Sequence, residues 1–294
     1  MLLFVGCAAC PLGLNLRGVL TFLSPPSPLF LSSDNFIGNS VSTWSALQTC
    51  RFLKRSGMAT WYNSHSIPLA SVLDAFTIPI VYTYTEASAG TGKIMLQTSI
   101  LSCRKMNPGS VIHILYNGRE DLRFILWLKE HGVTVHHHVP KWADAIEEMR
   151  MSGDITKSHL FSHPGNYLGT WQRIDIPLHI NAEYVLLLDA DTVITTPFTF
   201  ADFGLKITKS VAFSAEMDED DDKPWNAGVA LMNLPHLRET YDGFLEFILE
   251  HSDGSLYKNN APSDQGAYLE YYEDTIQFLD KKFNVKPYWQ NKIT

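Results

Sequence analysis

From residue 78 onward the chain alternates short apolar runs with longer stretches of helical spacing. Ile78-Pro79-Ile80-Val81-Tyr82-Thr83-Tyr84-Thr85 reads as a strand, and Gly90 to Met106 as a helix. Pro108-Gly109 turns the chain into a second apolar strand, Val111 to Tyr116. Asp121 to His131 is helical, Gly132 ends it, and Val133-Thr134-Val135 is a third strand. A short helix over Tyr167 to Asp175, limited by Pro177, precedes the run Val185 to Leu188. That run, bounded by a turn-like Thr/Pro segment, predicts a buried and central strand. Further on, the pattern predicts a short helix over Phe198 to Phe203 and strands over Val211 to Ser214 and Ala227 to Leu234, the last closed by Pro235. Leu237 to His251 is amphipathic, and another helix starts at Ser263. Ile276 to Leu279 and Phe283 to Trp289 complete the pattern. Alternation of strand and helix implies an α/β fold with a parallel sheet of the doubly wound type.

The first 77 residues break this rhythm. Met1 to Leu31 is apolar, but Pro11, Asn15 and Arg17 interrupt one run and Pro25, Pro26 and Pro28 the next. It has the apolar start and small residues of a secretory signal without the basic beginning, so a signal or anchor and a disordered leader both stand as readings. Ser32 to Ser66 is rich in Ser, Asn and Gly and reads as a linker. The expected organisation is a poorly structured leader over 1–77 and one domain over 78–294. Membrane association is expected only through the N-terminus, and the compartment is left open between secretory and cytoplasmic.

Charge narrows the partners. The 294 residues carry a formal net charge of −8 without a dense Lys/Arg block, which argues against nucleic-acid binding. Four cysteines, with only Cys103 in the main body, make neither a disulfide framework nor a zinc-finger spacing.

The chemistry gathers after the central strand, in YVLLLDADTVITTPF. Asp189 and Asp191 are two apart, so on an extended strand both carboxylates project the same way, at the edge where open α/β sheets place ligands. Two carboxylates this close raise one another's pKa unless something positive lies between them. A hard divalent cation, which prefers oxygen ligands, answers that need.

Four blocks then appear in order: LLLDADTVITTP, WNAGVALMNL, SDQGAYLEYY and LDKKFNVKPYW. Together they resemble glycosyltransferase family 8, the glycogenin and galactinol synthase group. The resemblance implies a single GT-A-type domain, a Rossmann-like mixed sheet flanked by helices. It also implies a UDP-sugar donor, Mn²⁺, a hydroxyl acceptor and transfer of a hexose with retained configuration. Asp189 and Asp191 match the family's DxD metal motif. Asn226, Ala227 and Gly228 match the donor-sugar block, and Asp264 and Gln265 the pair facing the reacting carbon, offered as catalytic without assignment of a step. Arg173 matches a Lys or Arg preceding the metal strand. With Thr83, Tyr84, Thr85 and Ala190 it is expected at the donor nucleotide and diphosphate, although strand alternation allows only part of Thr83 to Thr85 to face a ligand.

An apolar strand followed by Asp-x-Asp-x-Thr-Val also resembles the first motif of dehalogenase-type phosphatases, with Asp189 as nucleophile and Asp191 as general acid. The family 8 pattern ends in a His-x-x-Gly-x-x-Lys-Pro-Trp block carrying a metal-binding His, which this sequence lacks. Lys286-Pro287-Tyr288 is only a superficial echo. A truncated, UDP-binding but inactive relative is therefore a further reading, with His236 and His251 as substitute ligands that no spacing supports. The remaining histidine signals are read as structural: His136-His137-His138 as an exposed strand end, His163 as a loop residue. The acidic run Glu216 to Asp222 is read as a solvated loop or flexible lid.

Overall fold

The computed structural model describes residues 35–38, 58–63, 65–67, 78–87, 91–119, 122–152, 164–203, 208–215, 226–250, 257 and 263–286. The chain divides into two compact units, one of Met1–Thr77 with Thr199–Leu205, the other of Ile78–Phe198 with Lys206–Thr294. In the first unit β1 (Asn35–Gly38), β2 (Met58–Asn63) and β3 (His65–Ile67) form a three-stranded sheet in that order. No helix among the described residues is long and apolar enough to cross a membrane.

The second unit is built on a seven-stranded sheet. Its first part contains β4 (Ile80–Thr85), α1 (Gly92–Met106), β5 (Ile112–Asn117), α2 (Arg123–Glu130) and β6 (Val133–His137). Helices α3 (Ala143–Ser152) and α4 (Pro164–Trp171), a 3-10 turn at Gln172–Asp175 and α5 (Ile176–His179) lead to β7 (Tyr184–Leu188). Then follow β8 (Val211–Ser214), β9 (Asn226–Asn233), α6 (Leu234–Glu239), α7 (Tyr241–Glu250), α8 (Ser263–Tyr271) and β10 (Gln277–Phe278).

The strand order is β10-β8-β9-β7-β4-β5-β6, which makes β7 the middle strand. Val185 and Leu187 face a core containing Trp171, Phe213, Met232 and Phe244. Leu186 and Leu188 point to the other face and are also buried. Burial on both faces is why this strand reads as an unbroken apolar run. β4, β5, β6 and β7 run parallel, but β9 is antiparallel to both β7 and β8. The sheet is mixed, not the all-parallel sheet that the alternation alone suggested.

Two prolines act opposite to expectation. Pro177 and Pro235 do not stop elements; each sits in the first turn of the next helix, α5 and α6. There the missing N–H would have had no partner in any case. Leu237 to His251 is not one helix: α6 ends at Glu239 and α7 starts at Tyr241. Lys281–Phe283 forms a 3-10 turn. Gly132 does close α2, with φ +69°, and Arg104 ties that corner together through His131, Gly132 and Ser110 carbonyls.

The arrangement positions a cleft. β4 pairs with β5 along its whole length but with β7 only at Ile80 and Val81. Its carboxyl end therefore runs on beside the turn that follows β7. From β4 the chain continues to β5 and β6 on one side, while β7 lies on the other, so the gap falls at a topological switch point.

Candidate active site

A cleft of about 390 Å³ opens there. Its walls include Thr83, Tyr84 and Thr85 from β4, Arg173 from the 3-10 turn, and Asp189, Ala190 and Asp191 after β7. All three β4 residues border it, contrary to simple alternation, because the cleft lies across the end of the strand and not against one face. The hydroxyl of Thr85 is buried without a protein partner.

The two carboxylates do not share a strand face. β7 ends at Leu188, and Asp189 to Thr192 form a turn closed by Thr192 N–H donating to the Asp189 carbonyl at 3.1 Å. The turn is fastened to α1. Tyr82 OH meets Ser99 Oγ at 2.8 Å, Ser99 Oγ meets Thr192 Oγ1 at 3.1 Å, and Thr192 Oγ1 donates to the Asp189 carbonyl at 2.8 Å. Ser102 Oγ accepts Ile194 N–H at 2.9 Å.

Arg173 is the hub. Its Nη2 donates to Asp189 Oδ1 at 2.8 Å, its Nη1 to the Ala227 carbonyl at 2.8 Å, and its Nε lies 3.0 Å from Asp264 Oδ2. The Nε hydrogen is aimed at the Thr170 carbonyl, 3.2 Å away. Asp264 Oδ2 is thus ion-paired by distance but accepts no aligned hydrogen bond. Burial works against the charged guanidinium, yet Asp189 and Asp264 together raise its pKa. Asp175, two positions on, is not among these partners.

The three acids differ. Burial, then the charge of Asp189, raises the Asp191 pKa, with Lys286 and Arg173 offsetting part of it. Asp191 reaches solvent at the cleft mouth, so its desolvation is partial. Asp264 is 5% exposed, and burial raises its carboxyl first of all, with Arg173 pulling down and Asp189 pushing up. Asp189, Asp191 and Asp264 all feel the charge of the buried Arg173 guanidinium, and Asp191 also that of Lys286. That surplus of negative charge and oxygen donors suits a hard cation at Asp189 and Asp191. Among the described residues no set of three His, Cys, Asp or Glu side chains is placed to hold one metal ion together.

The later blocks join this cluster. Asp189 N–H donates to the Gly228 carbonyl at 2.8 Å, and Ala227 N–H donates to Gln265 Oε1 at 3.1 Å. A Cβ on Gly228 would sit 3.1 Å from Asp189 Oδ2 and 3.0 Å from Asn226 Oδ1. The glycine lets the carboxylate lie against the β9 backbone. Asn226 Oδ1 accepts from Gly228 N–H at 3.0 Å and Asn284 Nδ2 at 2.7 Å.

The profile of glycosyl transferase family 8 matches residues 94–294. The chain belongs to that family. No curated protein matches it. Among solved structures it is similar to the galactosyltransferase LgtC in complex with donor and acceptor sugar analogs, with TM-score 0.52 and 16% identity over 70% of this chain and 74% of LgtC. An active-site variant of LgtC gives TM-score 0.52 and 14% identity, covering 74% and 79% of the two chains. Apo GlyE of Streptococcus pneumoniae TIGR4 gives TM-score 0.48 and 18% identity, covering 70% of this chain and 46% of GlyE. The chain spans about half the length of GlyE. The fold is of the GT-A type, a mixed sheet flanked by helices.

His236, one of the two histidines weighed as substitute metal ligands, is not at the cleft. His236 lies in α6, beyond Asn233, which pairs with Tyr184 at the start of β7. That is the opposite end of the strand from Asp189, roughly 15 Å away at strand rise. His236 packs instead on Tyr272. His163, His251 and the acidic run at 216–222 lie outside the described residues. His138 is not at an exposed strand end: it is 3% exposed, with Nε2 2.6 Å from Asp175 Oδ2. Sequence reasoning missed Asn284 and Lys286, whose only signal was their place inside LDKKFNVKPYW. It also missed Asn166, Gly169 and Thr170 of α4, which line the cleft without any chemical pattern of their own.

Proposed function

We propose that this protein is a retaining glycosyltransferase that moves a hexose from a UDP-sugar to a hydroxyl acceptor, with Mn²⁺ held by Asp189 and Asp191. The observation that carries this reading is the convergence of the DxD turn, the end of β4 and Arg173 on one cleft. The fold likeness to LgtC, whose complex holds donor and acceptor sugar analogs, supports it.

In this scheme the uridine lies along Thr83 to Thr85, where the unpartnered Thr85 hydroxyl offers a hydrogen bond and the Tyr84 ring a stacking face. The diphosphate lies against Ala190, between Asp191 and Arg173. A cation held by Asp189 and Asp191 would supply positive charge to the diphosphate as the sugar–phosphate bond breaks. Arg173 keeps Asp189 and Asp264 from repelling one another and orients both. Asn226, Ala227 and Gly228 form the wall for the sugar, and Asp264 and Gln265 stand beside the reacting carbon. Gln265 is fixed by accepting Ala227 N–H.

The decisive experiment is calorimetric titration of UDP with Mn²⁺, and again with EDTA, on wild type and Asp191→Asn. Binding that needs Mn²⁺ and weakens at least about tenfold in the variant, roughly 1.4 kcal/mol, is the expected result. Absence of UDP binding to wild type under both conditions overturns the reading. UDP binding without sugar turnover would leave a nucleotide-binding relative that has lost transfer.

A further inference from the structure

Ser263 stands directly before the Asp264-Gln265 pair, and its backbone is unusual. Its φ is +56°, the only positive φ of a non-glycine residue among the described residues. A left-handed conformation is costly for an L-residue, so neighbouring contacts must hold it. Asn or Gly would be the ordinary choice there. Ser263 is also 1% exposed, and its hydroxyl is not idle. Oγ lies 2.9 Å from Thr170 Oγ1 and donates to Asp264 Oδ1 at 3.1 Å.

Thr170 belongs to the cleft wall and its carbonyl receives Arg173 Nε. A line of contacts therefore runs from the cleft wall through two hydroxyls to the buried carboxylate. The single Ser263 proton goes to the Asp264 carboxylate, and the Thr170 proton lies between two acceptors, Ser263 Oγ and the Tyr167 carbonyl at 2.8 Å. Besides Ser263, Asp264 has only the Gln265 backbone N–H as an aligned donor, and Oδ2 meets Arg173 at 3.0 Å without an aligned hydrogen bond. The left-handed residue also sets the direction in which α8 begins, and so where Asp264 and Gln265 point in its first turn.

We propose that Ser263 is a positioning residue: its left-handed backbone and its hydroxyl, bridging Thr170 and Asp264, aim the Asp264-Gln265 pair at the Arg173–Asp189 edge of the cleft. The proposal deepens the transferase reading and, as regards turnover, rests on it. Ser263 touches no reacting atom. It acts through Asp264 and has no part in holding the nucleotide.

The test uses the full chain with Ser263→Gly, which removes the hydroxyl but accepts the positive φ, and Ser263→Cys, which keeps the size and a weak donor. In Ser263→Gly, UDP affinity with Mn²⁺ is expected to stay within about twofold, while kcat for UDP-sugar turnover falls tenfold or more. Ser263→Cys is expected to recover part of kcat. Crystal structures of wild type and Ser263→Gly supply a readout that needs no activity, the separation of Asp264 Oδ2 from Arg173 Nε, which should lengthen in the variant. An unmoved carboxylate overturns the proposal, and so does an unchanged kcat or an equal loss of affinity and kcat. A wild type that neither binds UDP nor turns over defeats the transferase reading alone, and the crystallographic comparison then still decides the positioning role.

Discussion

Asp175 and Asp264 are almost equally withdrawn from solvent, at 4% and 5% exposure, and their surroundings are opposite. Asp175 receives His138 Nε2 at 2.6 Å, Tyr241 OH at 2.6 Å and Trp142 Nε1 at 3.0 Å. Burial pushes its carboxyl up, but donors from His138, Tyr241 and Trp142 outweigh that and hold it below the ordinary value. Asp264 has the Ser263 hydroxyl, the Gln265 backbone N–H and an off-angle guanidinium, and burial still raises it. The first carboxylate is saturated and lies away from the cleft; the second is under-satisfied and bonded to a residue of its wall. A saturated buried acid cements structure, whereas an unsatisfied one is kept at a stability cost where another group must be met.

The largest test of this contrast is Arg173→Met. It leaves Asp189 and Asp264 without the cation between them, so about 3–5 kcal/mol of stability should be lost, read as a fall in the urea midpoint. Adding Asp264→Asn to Arg173→Met should recover part of that loss by removing one uncompensated charge. If Arg173→Met unfolds no more easily than wild type, the guanidinium is not what holds the cluster.

Next come the two acids themselves. Asp175→Asn turns an acceptor toward donors as a donor, and about 2–3 kcal/mol should be lost. Asp264→Asn should change stability by no more than about 1 kcal/mol, because its charge was poorly compensated, yet should abolish sugar turnover. Their pH dependences have opposite sign. The Asp175 pKa is depressed on folding, so its contribution is present above the unfolded value of about 3.9 and is lost as pH falls through the folded pKa. The Asp264 pKa is raised, so its cost is present at neutral pH and is relieved as pH falls through that raised value. The difference between wild type and Asp264→Asn should therefore narrow on acidification, while that between wild type and Asp175→Asn narrows only at lower pH. Equal destabilisation by the two substitutions would erase the distinction.

How much of this was readable beforehand follows from range along the chain. β7 was legible because burial on both faces leaves an apolar run whatever its partners are. The direction of β9 was not, since an apolar strand reads the same parallel or antiparallel. α3 escaped because Ala143–Ser152 mixes apolar and polar residues without a clean apolar stripe. Asp189 and Asp191 were identified by chemistry, but the alternation argument assumed a strand that stops at Leu188. Arg173 was legible as a cation beside the Asp189 pair, which it meets, but its pairing with Asp264, far along the chain, was not. His138 escaped for the same reason, its partner lying 37 positions on. The left-handed Ser263 carried no sequence signal at all.

The smallest expected effect concerns the rim of the saturated cluster. His138 packs edge-on against His179, with ring centroids 5.0 Å apart. His113 on β5 and His136 on β6 meet at 3.1 Å between Nδ1 and Nε2, a contact that requires one proton between two nitrogens. Burial lowers all three pKa values: for His113 helped by His136, for His136 helped by His179, and for His179 helped by His138 against Asp175. Lowered folded values mean that the unfolded chain takes up protons first, so stability falls as pH drops below about 6.5, the ordinary histidine value. These rings are partly solvated, and the loss between pH 7 and 5 should be shallow. Replacing both His113 and His136 with Gln should flatten that limb of the urea-midpoint profile while leaving the acid limb set by Asp175 in place. Should the double substitution steepen the neutral limb instead, protonation of the rim would be stabilising, and the saturated region would end at Asp175 and not extend along the histidines to the sheet edge.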